Sequence, residues 1–426
     1  MKLAFYFTLA CTARCDHCIT FAGPKVKRKM SLEQALSVVA QVAEVDGVDG
    51  IVFTGGENFM HAEELLELVR ACTAHGLSSE VITNAFWAKN AAVARGILEP
   101  FRAAGLGVIR VSIDRWHLPY VAVERVHTAL EAMGELGFER HLTCVIEQHN
   151  AVYKRSRVVE LVSADPVGLL QNHEEDAGAI NHLVHTLQEA WPPDLVTLLT
   201  TYRFARGRCV LIDDALELRE LDAQWPGAAA VAERLVHTLD LVQFQFLATE
   251  GRGRVLLDQV PSKHVDDMTD TVCNSVGFSP VVNPEGDVFP CCSSWVNFDE
   301  HRIGNVADRS LAELMTQLRE DPFALFMYHQ GPAVMVKYLR AKGYEPSAPP
   351  RAPDEPDVPL ARLRREGGPL PDRYTHPCHL CGSLLERFSR EELVEHIRAF
   401  YEEQPWRLIF TSRGFDLVQS GATPLF

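Results

Sequence analysis

The sequence lacks any long apolar run, and this absence argues against a membrane protein. No stretch of its 426 residues approaches the roughly 20 consecutive apolar residues that a membrane-spanning helix needs. The short apolar segment at residues 1–10 is followed at once by Cys11, so it does not fit a secretory signal peptide with its cleavage site. We therefore expect a cytoplasmic protein.

Basic residues are scarce relative to acidic ones. The chain has 41 Lys and Arg against 57 Asp and Glu, and its formal net charge is −16 at pH 7. This balance argues against a broad surface for nucleic acids or anionic membranes. The hydrophobic content of 47% is typical of a globular protein, and the length allows a large domain and a smaller one.

The eleven cysteines are distributed unevenly. Three lie within residues 11–18, five lie within residues 273–381, and three are scattered. A reducing compartment disfavours disulfides, so the clustered cysteines indicate metal binding or catalysis. Of the scattered ones, Cys72 and Cys144 are predicted core residues.

Residues 1–210 alternate short β-rich runs with helical patterns. Such alternation predicts an α/β fold with parallel strands and right-handed crossovers, either an open sheet or a partial barrel. In both, ligands bind at the carboxyl ends of the strands. The predicted strands are residues 3–8, 50–56, 79–85, 107–114, 140–147 and 195–202.

The rest of the chain divides into three further segments. Residues 211–260 are predicted to be a helical connection, residues 261–388 a small α+β domain, and residues 389–426 a C-terminal helical tail. Eight prolines within residues 344–371 forbid regular structure over most of that stretch, which predicts an exposed insertion.

Cys11, Cys15 and Cys18 form a CxxxCxxC motif directly after the first predicted strand. Thiolates are the usual ligands of iron–sulfur clusters, and three of them leave the fourth iron of a cubane open to another ligand. A zinc site or a ferredoxin-like cluster is the alternative, although structural zinc sites typically use paired cysteine knuckles. The motif, with His17 before the last cysteine, resembles that of the radical S-adenosylmethionine (SAM) superfamily.

The resemblance implies a specific chemistry. In that family the open iron binds the amino and carboxylate groups of SAM, and reductive cleavage gives a 5′-deoxyadenosyl radical that abstracts a substrate hydrogen. It also implies a partial (β/α)6 barrel over residues 1–210, a site-differentiated [4Fe–4S] cluster, and an electron donor such as flavodoxin or ferredoxin.

Several residues after the later strands match positions where this family binds SAM. Gly55, Gly56 and Glu57 resemble the family's GGE motif, in which glycines let the backbone approach the ligand and Glu57 can accept from an ammonium group. The alternative for this segment is a strand-to-helix turn. The resemblance carries over three further SAM contacts, at Asn84, Ser112 and Arg125, for each of which the alternative is a cap or a surface salt bridge.

A second set of cysteines is predicted to bind an auxiliary [4Fe–4S] cluster. Its members are Cys273, Cys291, Cys378 and Cys381. Residues 283–286 (Asn-Pro-Glu-Gly) predict a tight hairpin turn that brings the flanking cysteines together. The pattern resembles the SPASM/twitch domains that follow many radical SAM barrels, and the one-cluster twitch form fits better because no cysteine follows Cys381. A four-cysteine zinc ribbon is the alternative, and the long insertion departs from the family pattern.

Cys292 and Cys209 lie outside both predicted clusters. In radical SAM peptide epimerases a cysteine thiol returns a hydrogen atom to the substrate radical, so the resemblance makes both residues candidate hydrogen donors. A free cysteine is more often a small buried hydrophobe, which is the alternative for each of them.

The resemblance also suggests the substrate. SPASM/twitch enzymes mostly modify peptides, which implies maturation of a ribosomally synthesised peptide by epimerisation, crosslinking or oxidation. Because the predicted barrel begins at residue 1, we expect a separate leader-binding protein, or a role of the insertion at 344–371, in peptide binding. A dehydrogenase of a small natural-product intermediate such as an aminosugar is the second hypothesis. A non-catalytic metal-binding or electron-transfer protein is the third.

Overall fold

The structure is a computed structural model. It describes residues 1–112, 116–117, 119–146, 151–154, 241–246, 251–253, 256, 262–267, 273, 279–344, 370 and 372–404. None of the helices among these residues combines the length and apolarity that a bilayer crossing requires.

The described part of the chain contains twelve strands in two sheets. The strands are β1 (Lys2–Thr8), β2 (Gly50–Gly55), β3 (Ser78–Thr83), β4 (Val108–Ser112), β5 (Arg140–Ile146), β6 (Ala151–Lys154), β7 (Leu241–Phe246), β8 (Lys263–His264), β9 (Val281–Val282), β10 (Asp287–Phe289), β11 (Gly304–Asn305) and β12 (Arg373–Tyr374). Ten of them form one sheet in the order β11-β10-β9-β1-β2-β3-β4-β5-β7-β6, and β8 pairs with β12 in a separate antiparallel sheet.

Six neighbouring strands, β1 to β5 and then β7, run parallel to one another. This confirms the predicted α/β class with the strand order of a partial (β/α)6 barrel, and it confirms the first five predicted strands. The sixth predicted strand, residues 195–202, lies outside the described residues. The helical connection predicted over residues 211–260 is wrong at β7, whose LVQFQF sequence alternates apolar and polar residues with the period of a strand.

Nine α-helices are described, and the first four separate the parallel strands. The helix α1 begins at the capping box formed by Ser31 and Gln34, as predicted, and buries Ala35, Val38 and Val42. The helices are α1 (Leu32–Ala43), α2 (Ala62–Ala74), α3 (Ala91–Ala103), α4 (Val123–Glu135), α5 (Leu311–Arg319), α6 (Pro322–His329), α7 (Pro332–Ala341), α8 (Pro377–Arg387) and α9 (Arg390–Glu403).

The two faces of the parallel sheet differ in polarity. Alternate residues of β1, including Phe5 and Phe7, are fully buried in the main apolar core, which the helices complete. The opposite face carries charge at the amino end of the strands, where Glu80 is 2% exposed and pairs with Lys2 at 3.0 Å and with Arg110. The sheet face opposite the apolar core is therefore polar, and this face continues to the carboxyl ends of the strands.

The C-terminal part joins the same sheet through a hairpin. Strand β10 pairs antiparallel with β9, and Gly286 in the turn between them has a φ of +84°, which confirms the predicted hairpin. Strand β9 pairs in parallel with β1, so the small α+β domain continues the barrel sheet. The amphipathic helix predicted at the start of the tail is present as α9, which buries Leu393, Ile397 and Phe400, and residues 405–426 of the tail lie outside the described residues. The proline-rich insertion lies almost wholly outside the described residues.

Candidate cluster and cofactor site

A cavity of about 200 Å³ lies at the carboxyl ends of the parallel strands, where sheets of this kind bind ligands. It collects the three cysteines of the first motif and five of the six predicted SAM contacts. The lining residues include Tyr6, Cys11, Cys15, Cys18, Gly55, Gly56, Glu57, Asn84, Ser112, His117 and Thr143.

The first three cysteines lie on one loop directly after β1. The Cys18 amide donates to the Cys15 carbonyl at 3.1 Å, and the Cys11 amide donates to Gly23 at 3.2 Å, so the loop folds back on itself. Cys15 packs with Trp116 in a small apolar cluster, and Cys11 and Cys18 border the same cluster. The structure thus brings together the three thiols that the spacing predicted.

The Cys11 thiol lies in an environment that disfavours its ionised form. Burial raises the pKa of Cys11 far above its ordinary value, and the negative charge of Glu57 adds to the shift. A bound metal would remove that proton, because coordination to a cation stabilises the thiolate. Three soft sulfur donors facing one cavity match the donor set of an iron–sulfur cluster with one open iron.

Two imidazoles lie beside the cysteine loop. The ligand atoms of Cys15, His17 and His117 are within 4.8 Å of one another. Among the described residues, this is the only group of three or more metal-ligating side chains this close together. One thiolate and two imidazoles suit a single zinc ion, but that ion would use the Cys15 sulfur that the cluster requires. The ring centroid of His17 also lies 5.0 Å from the ring centroid of Trp116.

The two glycines after β2 allow the cysteine loop to lie directly on the strand end. Gly55 has a φ of +100°, and a Cβ there would lie 2.9 Å from the Tyr6 ring. A Cβ on Gly56 would lie 2.3 Å from the Ala10 carbonyl oxygen. The Gly56 amide donates to Thr8 at 2.8 Å, so any side chain here would force the loop and the strand apart.

Glu57 connects the ends of β2 and β3. It is 1% exposed, and its carboxylate accepts hydrogen bonds from the Asn84 amide at 2.8 Å and the Phe59 amide at 3.1 Å. The Thr83 hydroxyl donates to the same carboxylate at 3.0 Å. Burial raises the pKa of Glu57 to about 7, although the backbone hydrogen bonds oppose the shift.

We expect Glu57 to make stability fall as the pH rises. The folded protein holds this proton more tightly than the unfolded chain, whose glutamates titrate near 4.5, so the contribution is complete below that pH and is lost through about pH 7. Chemical denaturation of the metal-free wild type and of Glu57→Gln at several pH values measures the effect. Relative to the variant, the wild type should lose on the order of 3 kcal/mol across this range. Parallel pH profiles would contradict it.

The other predicted SAM contacts differ in position. The side-chain Nδ2 of Asn84 donates to the Thr12 hydroxyl at 3.1 Å and lies 3.8 Å from the Cys11 sulfur, and Ser112 lies on the cavity wall. Arg125 instead donates to the Phe86 carbonyl and is not on that wall. The geometry therefore brings Asn84 and Ser112 to the cysteines and leaves Arg125 behind the end of β3.

Tyr6 is a site residue that the sequence reasoning missed. Its ring lines the cavity, and its hydroxyl donates to the Cys292 carbonyl at 2.5 Å. Burial raises the pKa of Tyr6 well above its ordinary value, with further contributions from Cys292, Cys291 and Cys18. Tyr6 thus lies between the first cysteine loop and the second cysteine set. Its position two residues before Thr8 on the inward face of β1 was the available signal.

Removing the Tyr6 hydroxyl should weaken the contact between the barrel and the C-terminal domain. Tyr6→Phe leaves the Cys292 carbonyl without this donor in a buried place, which should cost about 1–2 kcal/mol of unfolding free energy. Tyr338→Phe is the matched control, because the Tyr338 hydroxyl bonds to Glu403 at the surface and its removal should cost about 0.5 kcal/mol or less. Denaturant unfolding of both variants measures the difference. Equal losses would contradict the assignment.

The second cysteine set assembles around Cys291, which is buried. A hydrogen bond with Cys292 and burial raise the pKa of Cys291, and the charges of Cys292, Cys273 and Cys378 raise it further. Cys378 and Cys381 lie three residues apart in the first turns of α8, on one face of the helix. Cys273, Cys291 and Cys378 are therefore near enough to influence one another electrostatically, and Cys381 lies on the same helix as Cys378.

The remaining cysteines are the predicted core residues Cys72 and Cys144 and the candidate hydrogen donors Cys292 and Cys209. Cys72 is fully buried and its pKa is raised to about 12 by burial, which confirms a core residue. None of the nine described cysteines forms a disulfide. Of the two candidate hydrogen donors, Cys292 is not on the cavity wall, and Cys209 lies outside the described residues, as does the side chain of Cys144.

Comparisons with known proteins identify similar sequences and structures. YydG of Bacillus subtilis (strain 168), whose name assigns it to peptide biosynthesis, is 26% identical over 121 residues. The match covers 28% of this chain and 38% of YydG.

Two solved structures are also similar. "Native anSMEcpe with bound AdoMet" is 17% identical, with a TM-score of 0.36 over 75% of this chain and 82% of its own. "Crystal structure of BtrN in complex with AdoMet and 2-DOIA" is 12% identical, with a TM-score of 0.38 over 79% of this chain and 89% of its own.

Two family models match separate stretches of the chain. Residues 5–146 match the radical SAM superfamily, and residues 273–330 match an iron–sulfur cluster-binding domain named SPASM. The first implies a [4Fe–4S] cluster and SAM, for which the three thiols of the cavity fit, and the second implies an auxiliary iron–sulfur cluster. The chain therefore carries a radical SAM domain over residues 5–146 and a SPASM iron–sulfur domain over residues 273–330.

Proposed function

We propose that this protein cleaves SAM reductively and abstracts a hydrogen atom from a peptide substrate. One observation carries the first half of the proposal. Cys11, Cys15 and Cys18 line the same cavity as the Gly-Gly-Glu segment of β2 and as Asn84 and Ser112. Three thiolates would hold the cluster, and the polar strand ends around them would bind the SAM that completes it.

The residues of the cavity have separate roles in this proposal. With electrons from a donor such as flavodoxin or ferredoxin, the bound cluster and SAM supply a 5′-deoxyadenosyl radical. Gly56 lets the loop lie against β2, and Asn84 holds Thr12 beside Cys11. Glu57 fixes the ends of β2 and β3 through the Asn84 amide. The protein thereby orients the reacting groups and excludes water, as cofactor enzymes do.

The peptide substrate is supported by the similarity to YydG and by the SPASM domain. The reaction would be an epimerisation, a crosslink or an oxidation of a ribosomally synthesised peptide. A separate leader-binding protein would present that peptide. Cys292 and Cys209 are the proposed hydrogen donors if the product is an epimer.

The test uses the reconstituted full chain with SAM and dithionite in deuterated buffer, together with any short precursor peptide found to be encoded beside its gene and, separately, an aminosugar. We expect 5′-deoxyadenosine together with a peptide of changed mass. Incorporation of one deuterium indicates epimerisation, and loss of two hydrogens indicates a crosslink or an oxidation. If SAM is cleaved and an aminosugar is oxidised while every peptide is unchanged, the peptide assignment fails.

A further inference from the structure

Residues 251–253 lie against the cysteine loop, although they are distant from it in sequence. They fall between the two stretches that the family models match, so neither match assigns them a role. The side chain of Arg252 is 1% exposed. Burial of an arginine is costly unless its donors are used, so its surroundings indicate what it does.

Arg252 donates to three carbonyls of one loop. Its backbone amide donates to Cys18 at 3.0 Å. Its Nη1 donates to the Cys15 carbonyl at 2.9 Å, and its Nη2 donates to the Ala22 carbonyl. One residue therefore holds the backbone at two of the three cysteines and at the far end of the loop.

Gly251 makes this approach possible. Its φ is +57°, and a Cβ there would lie 2.2 Å from the Ile19 carbonyl oxygen and 2.7 Å from that of Cys18. Both neighbours are backbone atoms that no side-chain rotation can move. Only glycine therefore lets Arg252 reach the loop from this direction.

We propose that Arg252 is a positioning residue for the cluster of Cys11, Cys15 and Cys18, with Gly251 as its close-contact partner. Its hydrogen bonds fix the loop before metal binds. The positive charge of its guanidinium would stabilise the negative charge that the cluster gains on reduction. This second effect rests on the proposed function, whereas the fixing of the loop does not.

Limited trypsin digestion of the full chain, before and after reconstitution, tests the fixing of the loop. Lys25 and Lys27 are exposed on the loop, and Lys89 is exposed elsewhere. Arg252→Gln and Gly251→Ala should each speed cleavage at the loop lysines about tenfold, because lost hydrogen bonds raise the open population. Arg252→Lys should retain part of the protection. Arg95→Gln, which removes a surface pair with Glu135, is the control and should change nothing.

Two results would overturn the proposal. One is unchanged cleavage at the loop lysines in Arg252→Gln and Gly251→Ala, with wild-type circular dichroism. The other is an equal increase at Lys89, which would indicate a general loss of stability. If Arg252→Gln does not fold, Gly251→Ala and Arg252→Lys decide the same question.

The reduction potential tests the charge effect separately. The EPR signal that changes on addition of SAM identifies the cluster of the first loop. Its midpoint potential should be lower in Arg252→Gln than in the wild type, and Arg252→Lys should restore it. An unchanged potential in Arg252→Gln would overturn the charge effect. If the wild type cleaves no SAM, the proposed function fails, and the digestion still decides the role of Arg252 in the loop.

Discussion

Replacing Cys11, Cys15 and Cys18 together with serine should abolish formation of 5′-deoxyadenosine from SAM. The three thiols line the cavity with the predicted SAM contacts, and a hydroxyl is a poor ligand for iron in a cluster. The iron content after anaerobic reconstitution should fall from about eight to about four per chain, because one of two cubanes is lost. Chromatography of the nucleoside product and an iron and sulfide assay measure the two effects.

The control for this variant is Cys72→Ala. Cys72 is fully buried in the core and away from the cavity, so its removal should cost about 1 kcal/mol of stability and leave both iron content and SAM cleavage unchanged. Persistent 5′-deoxyadenosine formation in the triple serine variant would refute the radical mechanism.

Replacing Cys378 and Cys381 with serine should abolish substrate modification while SAM is still cleaved. These residues belong to the second cysteine set and do not line the cavity, so the first cluster should form normally. About four iron per chain should again be lost. Substrate turnover, nucleoside formation and metal content are measured on the same sample, with Ser383→Ala on the same helix as the control. A wild type with about four iron and one zinc would contradict the auxiliary cluster.

Local sequence patterns were enough to predict the elements that surround the site. The CxxxCxxC loop, the glycine pair at the end of β2 and the turn at residues 283–286 each depend on a few adjacent residues, and the structure places all three as expected. Strand β7 was missed because a six-residue alternation is a weak signal beside helical patterns.

Contacts between distant parts of the chain could not be predicted in the same way. Tyr6 meets Cys292 because β1 pairs with the distant strand β9, and Arg252 meets Cys15 across a similarly long separation in sequence. The alternation of β1 places Tyr6 on the inward face, but no local pattern reveals its partner Cys292, and none distinguishes Arg252 from a surface arginine. The carboxylate of Glu57 was expected to face an ammonium group, yet backbone amides of neighbouring segments already donate to it.

The pairing of β9 with β1 has a consequence for how the protein is made. Strand β1 leaves the ribosome well before its partner on one side, Val281–Val282, which follows β2 to β7 in the sequence. Until then β1 presents an unpaired, apolar edge, the kind of surface on which nascent chains associate. Expression of the barrel without the C-terminal domain should therefore give aggregates, and the growing chain should depend on chaperones until translation passes the hairpin.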